Sequence, residues 1–592
     1  MHACPRLATL VGGALLACAH AAPPRPSPAV PAPTLPSPPV ATATTATTPA
    51  LTLRFSPRLD PTPRLAVEIS ATGIAAREWQ IAALVGAELQ GLRVDDDRGP
   101  LPHTDRRDGV ALRVTLARAP VGPLRLAYAL DLAPPPTPLP AGVPPALLLR
   151  IDNERVLVSG EEALLLPLGV DGPLQLRLRL DPVAPRLVRL ASSLGVEPPP
   201  TVRADELRHA VFLIGETGRA VLRGPEGADD FAWTGAPGFD LRWSAAETAG
   251  ARTAVDLYFG AADTARFTGV FAVDIDYPGG TGALVMPRST GLYVAISPGA
   301  RWDARARLAV AQGLVHRWIG GRLRLRDADA APATDAWFTD GVARFVAREV
   351  LFDLGTLSAD DYADELNLHQ AELATAPLRA ASNAEVAAAA SAADPGVAGA
   401  AQALLIARGA LYATRLDAAI RARTGGGRSL RELLRGLVAR AREAGRAELP
   451  LAAFTDLLAA ELGPAELAAF RRMVLEGAAI ALPADALGPC FTRAPRVYTR
   501  FELGLDAALS RAETPGRLRG VRPGGPAARA GVREGERFSN LSFTPGEPTE
   551  RATATLERGG RYVDVTWRPV GAVGRGEAWR KRPNVDEARC LR

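Results

Sequence analysis

His316, within "AQGLVHRWIGG", and Asp340, within "WFTDGVA", are the side chains best placed to do chemistry in this chain. An imidazole and a carboxylate can share a divalent cation or pass a proton. A catalytic zinc, however, needs three protein ligands plus a water, and a helix supplies two of them from positions i and i+4, which share one face. One turn before His316 stands Gln312, whose carboxamide is a poor zinc ligand, and next to it Gly313, which cannot move a proton. The chain has six histidines, and no two of them are three or four residues apart. A substitute metal site would need distant partners, His369 or His209 with His316 and Asp340, while His103 belongs to a different segment. Ser289 and Thr290 have no histidine partner, which argues against a Ser-His-Asp hydrolase. The bland readings are a cleft histidine bonded to backbone and an aspartate capping a helix N-terminus.

The elements that must position these residues follow from hydrophobic period. From Leu51 to about Pro185, short apolar runs such as "RLAVEISATG" and "PALLLRIDNERVLVSGEEALLLPL" alternate with turn residues and predict an antiparallel β-sandwich. More strands are expected to about Gly299, including "TAVDLYFG" and "TGALVMPRSTGLYVAI". The period then becomes helical. Asp303 to Trp318 predicts one helix, in which Gly313 costs about 1 kcal/mol relative to alanine. Phe338 to Phe352 predicts a second, capped by Thr339 or Asp340, and Ser358-Ala359-Asp360-Asp361 opens a third. Ala-rich helices continue to about Leu482, with Ser429-Leu430-Arg431-Glu432 as a capping box. After Cys490 strands return, among them a hairpin around Gly559-Gly560.

The ends of the chain speak to its location. Residues 1–21 read as a signal peptide, with an apolar stretch too short to span a bilayer. Leu15-Leu16-Ala17-Cys18 resembles a bacterial lipobox that would lipidate Cys18, and Ala19-His20-Ala21 is the competing A-x-A cleavage site. Residues 22–50 form a Pro/Thr-rich linker that cannot bury apolar area. Of four cysteines, Cys4 leaves with the signal and Cys18 is lipidated or removed. Cys490 and Cys590 are then expected to pair in an oxidising compartment, the alternative being two buried free thiols. The net charge of +5 is small and almost wholly arginine, with no basic stripe among aromatics, so nucleic acid is excluded as a partner.

Together with "RVLVSGEEALLLP", "GALVMPRST" and "ARGALYATRLDAAIRARTGGGRSLRELL", the His316 and Asp340 segments resemble the gluzincin metallopeptidases, and more closely the glycyl aminopeptidase family. That resemblance implies a multi-domain α+β fold. It places an N-terminal antiparallel β-sandwich at 51–185, a thermolysin-like, mostly helical catalytic-type domain at 186–488, a C-terminal PDZ-like β domain at 495–572 and a tail at 573–592. It also implies roles. The H-E-x-x-H pattern puts the first ligand at Gln312, the general base at Gly313 and the second ligand at His316, and the W-x-x-E-G pattern puts the third at Asp340. The strand glutamate that grips a free amine aligns with Val285 and the following histidine with Met286. The tyrosine of a Y-x-K-G pattern aligns with Ile406, with Arg408 in the lysine position. These positions are degenerate, so no catalytic residue is intact, and no metal is expected, His316 and Asp340 being the residual candidates.

In the C-terminal module, "FELGLD" stands where a PDZ domain has its carboxylate-binding loop, which makes Phe501, Glu502, Leu503 and Gly504 the peptide-binding candidates, with a strand expected next. Between Phe543 and Ala552 only "TPGEPTER" intervenes, too short for the second helix of such a groove. The expectation is an exported, bacterial-envelope protein, lipid-anchored or soluble: a zinc-less pseudopeptidase that binds a peptide or an envelope protein. The alternatives are an active metallo-aminopeptidase with an unconventional site, for which zinc is the cofactor, and a structural assembly protein of the envelope.

Overall fold

The computed structural model describes residues 48–135, 147–182, 186–195, 201–224, 227–260, 267–273, 283–288, 291–297, 299–327, 329–331, 333–392, 394–512, 515–586 and 590. The signal segment with Cys18, the linker to residue 47, Ser289 and Thr290 lie outside them.

Alternation drives the first layers. In Ala50–Arg58 every second residue turns inward, leaving Leu51, Leu53 and Phe55 buried. This strand sits inside a seven-stranded sheet ordered Thr201–Val202, Leu174–Leu180, Ala50–Arg58, Arg64–Thr72, Leu124–Leu132, Ala87–Asp96, Gly99–Pro100. A four-stranded sheet carrying Trp79, Ile81 and Val114 shares its core. Two expectations need correction. The sandwich is not wholly antiparallel, because Ala50–Arg58 runs parallel to Leu174–Leu180. Nor does the fold break at residue 185. Arg189–Ser192 and Arg155–Ser159 both pair with Val211–Gly215, and Leu187, Leu207 and Phe212 belong to the sandwich core.

The other face of that joining sheet, through Leu157, Val211 and Leu213, packs on Val270, Ala272, Tyr293 and Ala295 of the next sheet. That sheet has the order Gly218–Gly224, Gly227–Thr234, Phe267–Val273, Gly291–Ile296, Ala283–Arg288; its three central strands are parallel and its two edges antiparallel. Between its strands runs a helix, Leu241–Tyr258, where only strands were expected. "TAVDLYFG" is its C-terminal end, not a strand. Asp240 caps it by accepting from the backbone N–H groups of Arg242 and Trp243. Its buried positions, Leu241, Ala245, Thr248, Arg252 and Val255, recur every three or four residues.

The helical layers are Ala304–Val315, Ala343–Asp353, Ala359–Thr375, Asn383–Ala390, Pro395–Thr424, Leu430–Glu443 and Leu451–Leu462. Ser429 and Glu432 form the expected capping box. The predicted helix from Phe338 instead begins as a π-helical turn, Trp337–Val342, that runs directly into Ala343–Asp353. Neither Thr339 nor Asp340 caps it. The wide turn forms because Gly341 lies against Gly409 of the long helix, so closely that backbone atoms of both helices occupy the space of a Cβ.

The C-terminal segment starts and ends beyond the expected 495–572. Phe491–Phe501 pairs with Val570–Lys581 as a long ribbon, so the supposed tail begins as strand, as far as Lys581. A three-stranded sheet, Phe538–Ser542, Ala552–Arg558 and Arg561–Trp567, turns at Gly559-Gly560 as expected. Cys490 and Cys590 are disulfide-bonded, with Cα atoms 5.6 Å apart. The ribbon is fastened to Ala359–Thr375 by Asn367. Its amide donates to Trp579 O at 2.8 Å and accepts from Trp579 N at 2.7 Å, as a strand neighbour would. Because both groups are buried, Asn367→Ala should cost about 2–3 kcal/mol through two unmet backbone partners. A melting temperature within one degree of wild type would refute that attachment.

Candidate functional site

The helix Ala304–Val315 is capped at Asp303 and ends at His316, with Gly313 buried in its last turn. Its end is pinned by Trp318, whose indole N–H donates to Asp256 at 2.9 Å and whose ring stacks on Phe259 at 5.1 Å. The chain then turns sharply through Gly320, at φ +104°, which brings the Ile319 carbonyl back to His316. His316 Nδ1 lies 3.3 Å from that oxygen, and since a carbonyl only accepts, Nδ1 carries the proton. Nε2 is therefore the free lone pair of the neutral ring.

Two groups meet Nε2. Asp340 Oδ1 lies 3.5 Å away, brought there by the π turn, so the two residual candidates are adjacent in space. Gln312 Nε2 also lies at 3.5 Å. The orientation of that amide is set from its other end, where Gln312 Oε1 accepts from Arg344 at 3.1 Å. A guanidinium can only donate, so the oxygen faces Arg344 and the nitrogen faces His316. Asp340 Oδ2 in turn accepts from Gln402 on the long helix at 3.1 Å. Burial pushes the His316 imidazole below its ordinary range and the Asp340 carboxyl above its own, and the attraction between the pair opposes both shifts.

Arg344, one turn beyond Asp340, also forms a two-pronged ion pair with Glu365 of Ala359–Thr375. Glu365 Oε1 lies 3.2 Å from His369 Nε2 on the same helix. Burial works against the Glu365 charge, but Arg344 and His369 hold the carboxyl well below the usual carboxylate range. One chain of contacts thus runs His369–Glu365–Arg344–Gln312–His316–Asp340–Gln402 across four helices. Sequence reasoning missed Arg344, Glu365 and Gln402. The i, i+4 spacings Asp340/Arg344 and Glu365/His369 were the available signal.

The remaining expected positions divide. Ile406 is half-buried one turn beyond Gln402, and its carbonyl abuts Gly341. Arg408 is outside the site. It is fully buried and donates to the carbonyls of Leu378, Arg379 and Ala381, holding the loop between two helices. Val285 and Met286 lie on Ala283–Arg288, opposite Val294 and Tyr293. His209 pairs with Asp205 and Glu161 beside the sandwich, and His103 sits on the strand His103–Asp108, so neither joins His316. Among the described residues, no three His, Cys, Asp or Glu side chains are grouped to hold a metal.

In the C-terminal module Leu503 is buried, and its carbonyl accepts from the Trp567 indole at 3.0 Å. Gly504 adopts φ +84° against Ala527. Glu502 lines a 260 Å³ cleft with Arg522, Arg529 and Gly571, and lies 3.5 Å from Arg522. The strand expected after "FELGLD" is instead a helix, Ala507–Ala512, because Asp506 caps it by accepting from Leu509 N at 2.9 Å. The segment 544–551 holds turns and no helix.

No family model matches the sequence, and no curated protein matches it. Among solved structures, an M1 zinc metallopeptidase from Deinococcus radiodurans aligns at TM-score 0.44 and 17% identity, over 74% of this chain and 94% of that one. An aminopeptidase N family protein from Idiomarina loihiensis aligns at TM-score 0.65 and 15% identity, over 91% of this chain and 99% of that one. From the sandwich to the C-terminal strands, this chain has the fold of that aminopeptidase N family protein.

Proposed function

We propose that this chain is a zinc-less peptidase-fold protein of the bacterial envelope, which binds a peptide or a protein partner in the cleft beside His316. The observation that carries the reading is the orientation of Gln312. Its only good metal-binding atom, Oε1, is taken by Arg344, while its amide nitrogen faces the His316 lone pair. Asp340 adds one carboxylate, already bonded to Gln402. One imidazole and one short acid do not make the three-ligand set of a catalytic zinc, so these residues do not fit that ion, and no catalytic step through it is derived. Gly313, in the position where a general base would stand, has no side chain to take a proton from water.

Export, and anchoring through Cys18, are supported by the apolar leader, the Leu15–Cys18 segment and the proline-rich spacer behind it. The Cys490–Cys590 bond fits an oxidising compartment. Strand addition of a peptide to the C-terminal module is not favoured, since a helix occupies the place of the accepting strand.

Purified protein should contain far less than one zinc per chain by elemental analysis and release no N-terminal residue from a peptide library. Robust release that a chelator abolishes, and that His316→Ala also abolishes, would replace this reading with an active metallo-aminopeptidase. Crosslinking in cells should capture a partner whose contact is lost when a bulky Gln402→Trp crowds the side chains at Asp340 and His316. Capture that survives that substitution would favour an assembly role for the outer surfaces.

A further inference from the structure

We infer that Arg344 is the resident cation of this cleft and closes it to divalent metal ions by charge, over and above the missing ligands. The inference rests on the zinc-less reading and goes one step beyond it, because it says what would happen if the ligands were restored.

Three contacts define the position of the guanidinium. Nη1 donates to Gln312 Oε1 at 3.1 Å, at the tip of the side chain that occupies the first ligand position. Nε and Nη2 grip the two oxygens of Glu365, the latter at 3.1 Å. The side chain is held on a buried helix one turn after Asp340, with 16% of its surface exposed, so it cannot swing far into solvent. A cation bound between residue 312 and His316 would therefore sit a few ångströms from a permanent positive charge. Beyond Asp340, the carboxylate near enough to offset that charge is Glu365, which is already committed to Arg344, and behind Glu365 lies buried His369. Replacing Arg344 with a neutral residue would remove the repulsion and also release Glu365, two changes of the same sign.

The test is zinc affinity, measured by competition with a chromogenic chelator, for full-length Gln312→His alone and combined with either Arg344→Gln or Arg344→Met. Circular dichroism and melting temperature check that each variant is folded. Gln312→His alone should bind zinc weakly, and each combined variant should bind about 100-fold more tightly or better, the scale set by one nearby unit charge. Tight, stoichiometric zinc in Gln312→His alone overturns the inference without recourse to any Arg344 variant. So does a folded combined variant no tighter than the single one. The neutral pair guards against one of them failing to fold. None of these results bears on the wild-type metal content, which tests the zinc-less reading separately.

Discussion

Gly409→Val should leave little soluble protein, and Gly409→Ala should already lower stability by about 3 kcal/mol or more, beyond the usual range for overpacking. A Cβ at position 409 would stand 1.7 Å from Trp337 O and 2.9 Å from Gly341 Cα. Both are backbone atoms and cannot rotate away as a side chain could. The reverse contact is as tight, since a Cβ on Gly341 would lie 2.6 Å from Gly409 Cα and 2.7 Å from Ile406 O. The long helix Pro395–Thr424 and the π turn therefore touch through two bare backbones. That closeness lets Asp340 reach His316 on one side and Gln402 on the other. Gly399, in the same helix, has nothing within 4 Å of its would-be Cβ, so Gly399→Ala should stabilise by about 1 kcal/mol. Opposite signs for one chemical change in one helix are the expected pattern in thermal melts. Equal melting temperatures for the two alanine variants would show that the helices do not approach as described.

Breaking the Cys490–Cys590 bond, by serine at both positions, is expected to cost up to about 4–5 kcal/mol on the chain-entropy model, because the loop it closes is 100 residues long. Both cysteines are buried in the core that also holds Phe491, Trp579 and Leu487, so the loss includes packing as well as loop entropy. In a chain of several packed layers the effect should appear in the transition of the C-terminal ribbon and not as a uniform shift. Limited proteolysis should cut the double-serine protein between Arg580 and Cys590 under conditions where the oxidised protein survives. Two titratable thiols from these positions in native, non-reduced protein would contradict the bond directly. Asn367→Ala should weaken the same ribbon from its other side, and because the two attachments share it, their effects should not add.

The elements that could be read locally were those whose determinants lie within four or five residues. Ser429 and Glu432 cap a helix wherever that helix goes, Gly559-Gly560 turns a hairpin, and Ser358 accepts from Asp361 N as its spacing implied. The same local logic extends to the Leu241–Tyr258 helix, whose i, i+3, i+4 burial pattern outweighs the β-like run at its end. The strand expected after "FELGLD" failed for a related reason: Asp506 is a stronger helix cap than the loop resemblance is a strand signal.

The candidate site divides along the same line. Residue types alone already ruled out an imidazole one turn before His316 and a base at Gly313, since no packing can supply a side chain that is not in the chain. That His209 and His369 pair with other carboxylates was decided by the fold. What the amide of Gln312 does depended on Arg344 and, behind it, Glu365, and where the Asp340 carboxylate points depended on Gln402. Each of these partners stands tens of residues from the side chain it holds, Arg344 at 32 from Gln312 and Gln402 at 62 from Asp340. Hydrogen bonds and charge pairs act over about 3–4 Å whatever the separation along the chain. Only the packing of four helices, set by the bare contact of Gly341 on Gly409, decides which of them form.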